Sequence, residues 1–145
     1  KLAFTHDKKV IVEEFIKGRE LECAVLGTDN PFASEVGEIL SCNDFYDYDA
    51  KYILGTSGLN IPANIPKEAS LEIRETAVKA FKALGCFGLS RVDFFLADNG
   101  KVYLNELNTM PGFTSISMYP KLMENLGIPY GELLDRLIKL AYERN

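Results

Sequence analysis

Arg91, Asp93, Glu106 and Asn108 flank an Asn99-Gly100 dipeptide within GLSRVDFFLADNGKVYLNELNTMPG, residues 88–112. Asn-Gly between runs of Val, Phe, Tyr and Leu predicts strand–turn–strand, because a two-residue type I′ turn needs φ > 0 at both central positions. With Asn99 and Gly100 as the loop, Asp98 pairs with Lys101. Ala97 then lies opposite Val102, Phe95 opposite Leu104, Asp93 opposite Glu106 and Arg91 opposite Asn108. All share one face, since strand side chains alternate with a period of two. Two carboxylates placed face to face repel, and the arrangement makes sense when a cation lies between them. Asp93, Glu106 and Asn108 offer oxygen ligands suited to a hard ion such as Mg²⁺.

Other chemistries suit these residues less well. A solvated polar face, with Arg91 offsetting both acids, is the bland alternative for an antiparallel hairpin. Phe95 and Leu104 on the expected acid face speak against it, because an unpaired carboxylate couple among apolar neighbours is costly. A glycosidase pair needs more separation than directly opposed strand residues give. A proton-sharing dyad has no use for Asn108. Mg²⁺ bridging phosphate oxygens fits best, with Arg91 on the same face to bind a phosphoryl or acyl oxyanion. Neither a Walker A pattern nor GxGxxG occurs, so phosphate is not held in a P-loop or Rossmann manner.

The elements that must position these groups follow from periodicity. Lys9–Lys17 (KVIVEEFIK) predicts a strand, Gly18-Arg19 a turn, and Glu20–Gly27 a partner strand with Leu21, Cys23 and Val25 on one side and Glu20, Glu22 and Ala24 on the other. A turn at 28–31 and a weaker strand over Phe32–Leu40 complete an antiparallel meander rather than alternating βαβ units. Residues 43–64 are long and mixed, and the four aromatics of FYDYDAKY favour a lid over a site. Helices are expected over Pro66–Leu84, stopped by Gly85, then Tyr119–Leu126 and Pro129–Arg144. In the last, Leu133, Leu134, Leu137, Ile138 and Ala141 are the expected buried face. The fold class is α+β: a mainly antiparallel sheet with helices packed on it.

With 145 residues the chain is about one domain with room for a real core. A net charge of −5 without Lys/Arg clusters argues against a nucleic-acid surface. Cys23, Cys42 and Cys86 are odd in number and contain no CxxC, which fits a reducing compartment better than a disulfide framework. No apolar run approaches a membrane span, and a cytoplasmic protein is expected. His6, the single histidine, reads as a solvated loop residue. The opening Lys1-Leu2-Ala3-Phe4, without Met, has the character of a fragment or a processed chain.

EEFIKGRE, FYDYDAKY, GLSRVDFF and NELNTMPGFTS together resemble the D-alanine–D-alanine ligases of the ATP-grasp superfamily, from about Val10 through Asn145. The vancomycin-resistance ligases that make D-Ala–D-Ser or D-Ala–D-lactate share this signature. The resemblance implies the C-terminal ATP-grasp domain over 1–145, lacking an N-terminal domain, and peptidoglycan precursor synthesis in the cytoplasm. ATP and two Mg²⁺ ions are the implied cofactors, with Mn²⁺ an alternative metal. Asp93 and Glu106 would hold one ion, Glu106 and Asn108 the second. Glu13, Phe15 and Ile16 would line the adenine pocket, and Glu20 would bind ribose. Lys51 would reach the γ-phosphate from the lid, with Tyr52 closing it. Arg91 and the Gly112 backbone N–H would form an oxyanion site, and Ser117, with Met118 beside it, would receive the second substrate's carboxylate.

In the implied reaction ATP phosphorylates the carboxylate of a first D-alanine, and the amine of a second D-amino acid attacks the acyl-phosphate. Tyr52 after Lys51 resembles the dipeptide-forming branch, with D-Ala and D-Ser both open as acceptor. The partners implied are small molecules, neither nucleic acid nor membrane, with the complete enzyme a homodimer. Since family members are roughly twice as long, the 145-residue chain alone is expected not to catalyse ligation. The competing readings are another ATP-grasp carboxylate–amine ligase, such as a glutathione-synthetase-like enzyme, and a non-catalytic nucleotide- or cation-binding module.

Overall fold

Alternation within one strand decides the layering. β1 (Gly18–Gly27) is the middle strand of a five-stranded antiparallel sheet ordered β3-β2-β1-β4-β5, with β2 (Phe32–Leu40), β3 (Gly58–Asn60), β4 (Gly88–Ala97) and β5 (Val102–Asn108). The computed structural model describes residues 1–40 and 58–144. Leu21, Cys23 and Val25 face one side, where with Val92, Phe94 and Leu96 they bury Ala69, Ile73, Ala77 and Phe81. Those four recur every fourth residue of α1 (Lys67–Ala83), which places them on one helical stripe. Gly85, at φ +62°, ends the helix: the Gly85 N–H bonds the Lys82 carbonyl at 3.1 Å and the Cys86 N–H the Phe81 carbonyl at 3.0 Å.

Among the described residues, the opposite face is covered at one end only. Ala24 and Leu26 pack there with Met118, Tyr119, Leu122 and Met123 of α2 (Met118–Asn125) and Leu133 of α3 (Tyr130–Glu143). Gly37 permits this approach, since a Cβ there would sit 2.8 Å from Met118 Sδ. The buried Tyr119 hydroxyl donates to the Val25 carbonyl at 3.0 Å, and burial pushes its pKa up. Beyond α2, the same sheet face carries Glu20, Glu22, Arg91, Asp93 and Glu106.

Several expectations need correction. Lys9–Lys17 is not a strand, and Gly18-Arg19 is not a turn but the start of β1. Ile11, Val12 and Phe15 are 83%, 91% and 87% exposed, so a β-prone run has no sheet neighbour among the described residues to satisfy its backbone. In α3 the predicted face is too wide. Leu133 is buried and Leu137 packs against the core, whereas Leu134, Ile138 and Ala141 are exposed, because the sheet end supports one line of the helix only. The strand over Phe32–Leu40 and the three helices form where expected.

The hairpin differs in detail. The Ala97 N–H bonds the Lys101 carbonyl at 3.0 Å and the Gly100 N–H the Ala97 carbonyl at 2.8 Å, with Gly100 at φ +82° and no non-glycine residue at positive φ among the described residues. The loop is therefore three residues, Asp98-Asn99-Gly100: a type I turn followed by a left-handed glycine rather than a two-residue type I′ turn. Leu96 consequently faces Val102, Phe95 faces Tyr103 and Phe94 faces Leu104. A bulge at Asn105 then shifts the register, so that Asp93 faces Glu106 and Arg91 faces Asn108.

Candidate active site

At the open end of the sheet lies a cleft of about 180 Å³ whose lining includes Glu20, Glu22, Arg91, Asp93, Phe95 and Glu106. Each side chain reaches it through strand alternation. Glu20 and Glu22 of β1 stand opposite Phe95 and Asp93 of β4, and Asp93 stands opposite Glu106 of β5. Glu22, Asp93 and Glu106 thus form a row of three carboxylates across adjacent strands. Glu22 was not singled out in the sequence because its proximity to Asp93 depends on the β1–β4 pairing.

Arg91 ties the row together. Its Nε and Nη2 donate to Asp93 Oδ1 and Oδ2, both at 2.8 Å, and Nε also lies 3.2 Å from Glu22 Oε2. Burial works against the guanidinium's charge, but Asp93, Glu22 and Glu106 outweigh it and hold the pKa above its ordinary value. Asp93 shifts the other way for a carboxylate: burial, aided by Glu106, raises its pKa despite Arg91. The Asn108 Nδ2 donates to Asp93 Oδ2 at 3.2 Å and Glu106 Oε1 at 3.0 Å, so one small group lies between the two acids. Rotating that amide by half a turn would present its oxygen there instead.

Two carboxylates and an amide around a common point fit a hard divalent cation. Among the described residues no three His, Cys, Asp or Glu side chains form a metal cage by themselves. An ion here would complete its shell from water or a phosphate ligand, the habit of Mg²⁺. The residues present fit the metal expected from the sequence.

The remaining expected site residues separate into those near this sheet face and those elsewhere. Glu20 lines the cleft. Glu13 and Phe15 are exposed and Ile16 is half-buried in the irregular segment before β1, and none of the three lines the cleft. Lys51 and Tyr52 lie outside the described residues, as does most of the expected lid. Gly112 and Ser117 belong to the loop between β5 and α2. Ser117 Oγ accepts from the Thr114 N–H at 3.0 Å, lies 2.9 Å from Thr114 Oγ1, and would sit 2.9 Å from any Cβ at position 112. Met118 is 5% exposed and packs in the core beside Ala24 and Leu26. Phe113 anchors the loop between Tyr119 and Tyr130, with ring centroids 5.7 and 5.5 Å away.

This sheet, with its acids at an open cleft, is the C-terminal part of an ATP-grasp ligase fold. Residues 1–139 match the family described as the D-ala D-ala ligase C-terminus, and the chain belongs to it. A D-alanine–D-alanine ligase of Acetivibrio thermocellus is 63% identical over 143 residues, covering 98% of this chain and 38% of that protein. The solved VanG D-Ala:D-Ser ligase of Enterococcus faecalis superposes with a TM-score of 0.82 at 50% identity, over 96% of this chain and 40% of that one. The D-alanine–D-alanine ligase of Bacillus anthracis complexed with ATP gives a TM-score of 0.72 at 27% identity, over 90% of this chain and 40% of that one. The chain spans about two fifths of the length of the curated relatives it matches.

Proposed function

We propose that this chain is the C-terminal ATP-grasp domain of a cytoplasmic enzyme that joins two D-amino acids, D-Ala to D-Ala or D-Ser, for peptidoglycan precursor synthesis. The observation that carries the reading is the facing of Asp93 and Glu106 beside Arg91 in an open cleft. The ATP-complexed relative and the names of the close relatives support the substrates.

In this reading Asp93 and Glu106 hold one Mg²⁺ and Glu106 and Asn108 a second, with Mn²⁺ a substitute. Bound there, the ions would supply charge neutralisation for phosphate oxygens. Glu20 accepts hydrogen bonds from ribose, and Glu13, Phe15 and Ile16 contact adenine. Lys51 meets the γ-phosphate, and Tyr52 closes over the site to keep water from the acyl-phosphate. When the second amine attacks that carbonyl, Arg91 and the Gly112 N–H stabilise the oxyanion. Ser117, with Met118 beside it, takes the second substrate's carboxylate. The complete enzyme is a homodimer.

Phosphate release by the full natural polypeptide with ATP, Mg²⁺ and D-alanine tests the reading. D-alanine-dependent turnover is expected, with D-serine as the competing acceptor and with no turnover by residues 1–145 alone. Absence of D-alanine-dependent phosphate release from the full polypeptide would refute it.

A further inference from the structure

Glu22 is the acid in the cleft that the reaction above leaves without a role. It is 4% exposed, and its Oε2 lies 3.2 Å from Arg91 Nε. The same Nε lies 2.8 Å from Asp93 Oδ1, so one guanidinium N–H is poised between carboxylates on neighbouring strands. Glu22 and Asp93 are direct register partners across β1 and β4, which keeps Arg91 within reach of both. Both oxygens of Asp93 are engaged by Arg91. A cation bound through Asp93 has to compete with that fork.

We infer that Glu22 is a positioning residue: its carboxylate holds the Arg91 guanidinium so that Asp93 is released to a divalent ion. This rests on the metal site proposed above. With Glu22 in place, the Arg91 charge is balanced whether or not Asp93 contributes, and the guanidinium keeps its place beside the cleft when the ion enters. Without the Glu22 charge, Arg91 has Asp93 as its nearest counter-ion and clings to it. The local charge available to a cation also falls, from four carboxylates in the cleft (Glu20, Glu22, Asp93 and Glu106) against one guanidinium to three against one. Both effects weaken metal binding. Removing Arg91 as well leaves Asp93 and Glu106 unopposed and reverses both.

The test is Mn²⁺ binding to the full natural polypeptide, followed by electron paramagnetic resonance with a non-hydrolysable ATP analogue and no amino acid. Glu22→Gln is expected to weaken Mn²⁺ binding about tenfold, as loss of a ligand's supporting partner typically does. Glu22→Gln/Arg91→Met is expected to recover it to within about threefold of wild type while remaining inactive as a ligase, since the competing cation is gone. A merely structural Glu22 predicts a double variant no better than the single one. That result, or wild-type affinity in Glu22→Gln, overturns the assignment. Should Glu22→Gln not fold, Glu22→Asp takes its place, with weaker Mn²⁺ binding expected and unchanged binding overturning it. Wild-type protein that binds no Mn²⁺ with the nucleotide analogue would refute the metal site itself, a failure visible before any variant is made.

Discussion

Asp93 and Glu106 face each other across β4 and β5 through two irregularities that cancel: a three-residue loop at 98–100 and an extra residue at Asn105. The loop stands on Gly100, whose φ of +82° an L side chain adopts only with strain. Gly100→Ala should therefore cost about 1–2 kcal/mol, although a Cβ there meets no atom within 4 Å. Asn99→Ala, which loses the exposed 3.0 Å bond from the Lys101 N–H, should cost less. Urea denaturation of the two variants measures the difference. Equal stability would show that the left-handed glycine does not hold the turn.

Glu106 opposes Asp93 at the expense of the fold, and the proposed function gives the pair its use. Like charges directly across an antiparallel pair destabilise it, so Glu106→Gln should raise stability by about 0.5 kcal/mol. In the full polypeptide the same change should reduce ligase turnover at least about 100-fold, because in the proposed reading it removes a metal ligand rather than a ligand's support. Thermal melts and phosphate release on one preparation read both. A variant that loses stability and activity together would assign Glu106 to the structure instead.

How far the sequence discloses this site depends on the range of the contacts involved. Arg91, Asp93, Glu106 and Asn108 belong to one hairpin, where alternation and a nearby turn place each side chain. The Asp93–Glu106 pairing even survives a wrong turn type, because the bulge at Asn105 restores what the third loop residue displaces. The neighbours Phe95–Tyr103 and Phe94–Leu104, lying between loop and bulge, reveal the slip. Glu22 was beyond reach, since it approaches Asp93 only when β1 pairs with a strand far along the chain. The segment 9–17 misled because β-propensity records how a residue packs in a sheet and cannot supply the neighbouring strand. Leu134 and Ile138 misled similarly: an apolar stripe on a helix does not disclose how wide a surface will meet it.

On the face away from the cleft, Arg19 Nε and Nη2 donate to Glu38 Oε1 and Oε2 at 2.6 and 2.7 Å, and Arg19 Nη1 donates to the Asn64 carbonyl at 2.9 Å. Asn60 Nδ2 reaches the same carboxylate at 3.4 Å, tying β3 to the sheet. The Arg19 hydrogen bonds hold Glu38 below its ordinary pKa of 4.5, against the effect of burial. A carboxylate depressed by folding stabilises the native state above its unfolded pKa, and that contribution fades as pH falls through the lower, folded value. Glu38→Gln should therefore be less stable than wild type at pH 7, by about 1 kcal/mol because Arg19 is partly solvated. The gap should close below the ordinary carboxylate value of 4.5. Chemical denaturation from pH 7 to pH 3 checks this, and a gap that widens on acidification would contradict the linkage.

Gly112 and Ser117 test the loop between β5 and α2. A Cβ at 112 would lie 2.9 Å from Ser117 Oγ but 3.6 Å from Ser117 Cβ, so the conflict is with the hydroxyl alone. That hydroxyl accepts from the Thr114 N–H at 3.0 Å and closes the turn that precedes α2. In the full polypeptide, with the roles proposed above, Gly112→Ala should thus displace Ser117, open the turn and lower kcat, while Ser117→Ala should chiefly raise KM for the second D-amino acid. The double variant removes the clash, since a methyl at each position leaves ordinary contact. Its kcat should recover toward that of Ser117→Ala, because the proposed contribution of residue 112 is a backbone N–H that alanine retains. Its KM for the second substrate should stay raised, because the hydroxyl is gone. Steady-state kinetics of the three variants, varying the second substrate, separates these effects. A double variant with kcat no better than Gly112→Ala would mean that the 112 backbone itself, and not its quarrel with Ser117, forbids a side chain.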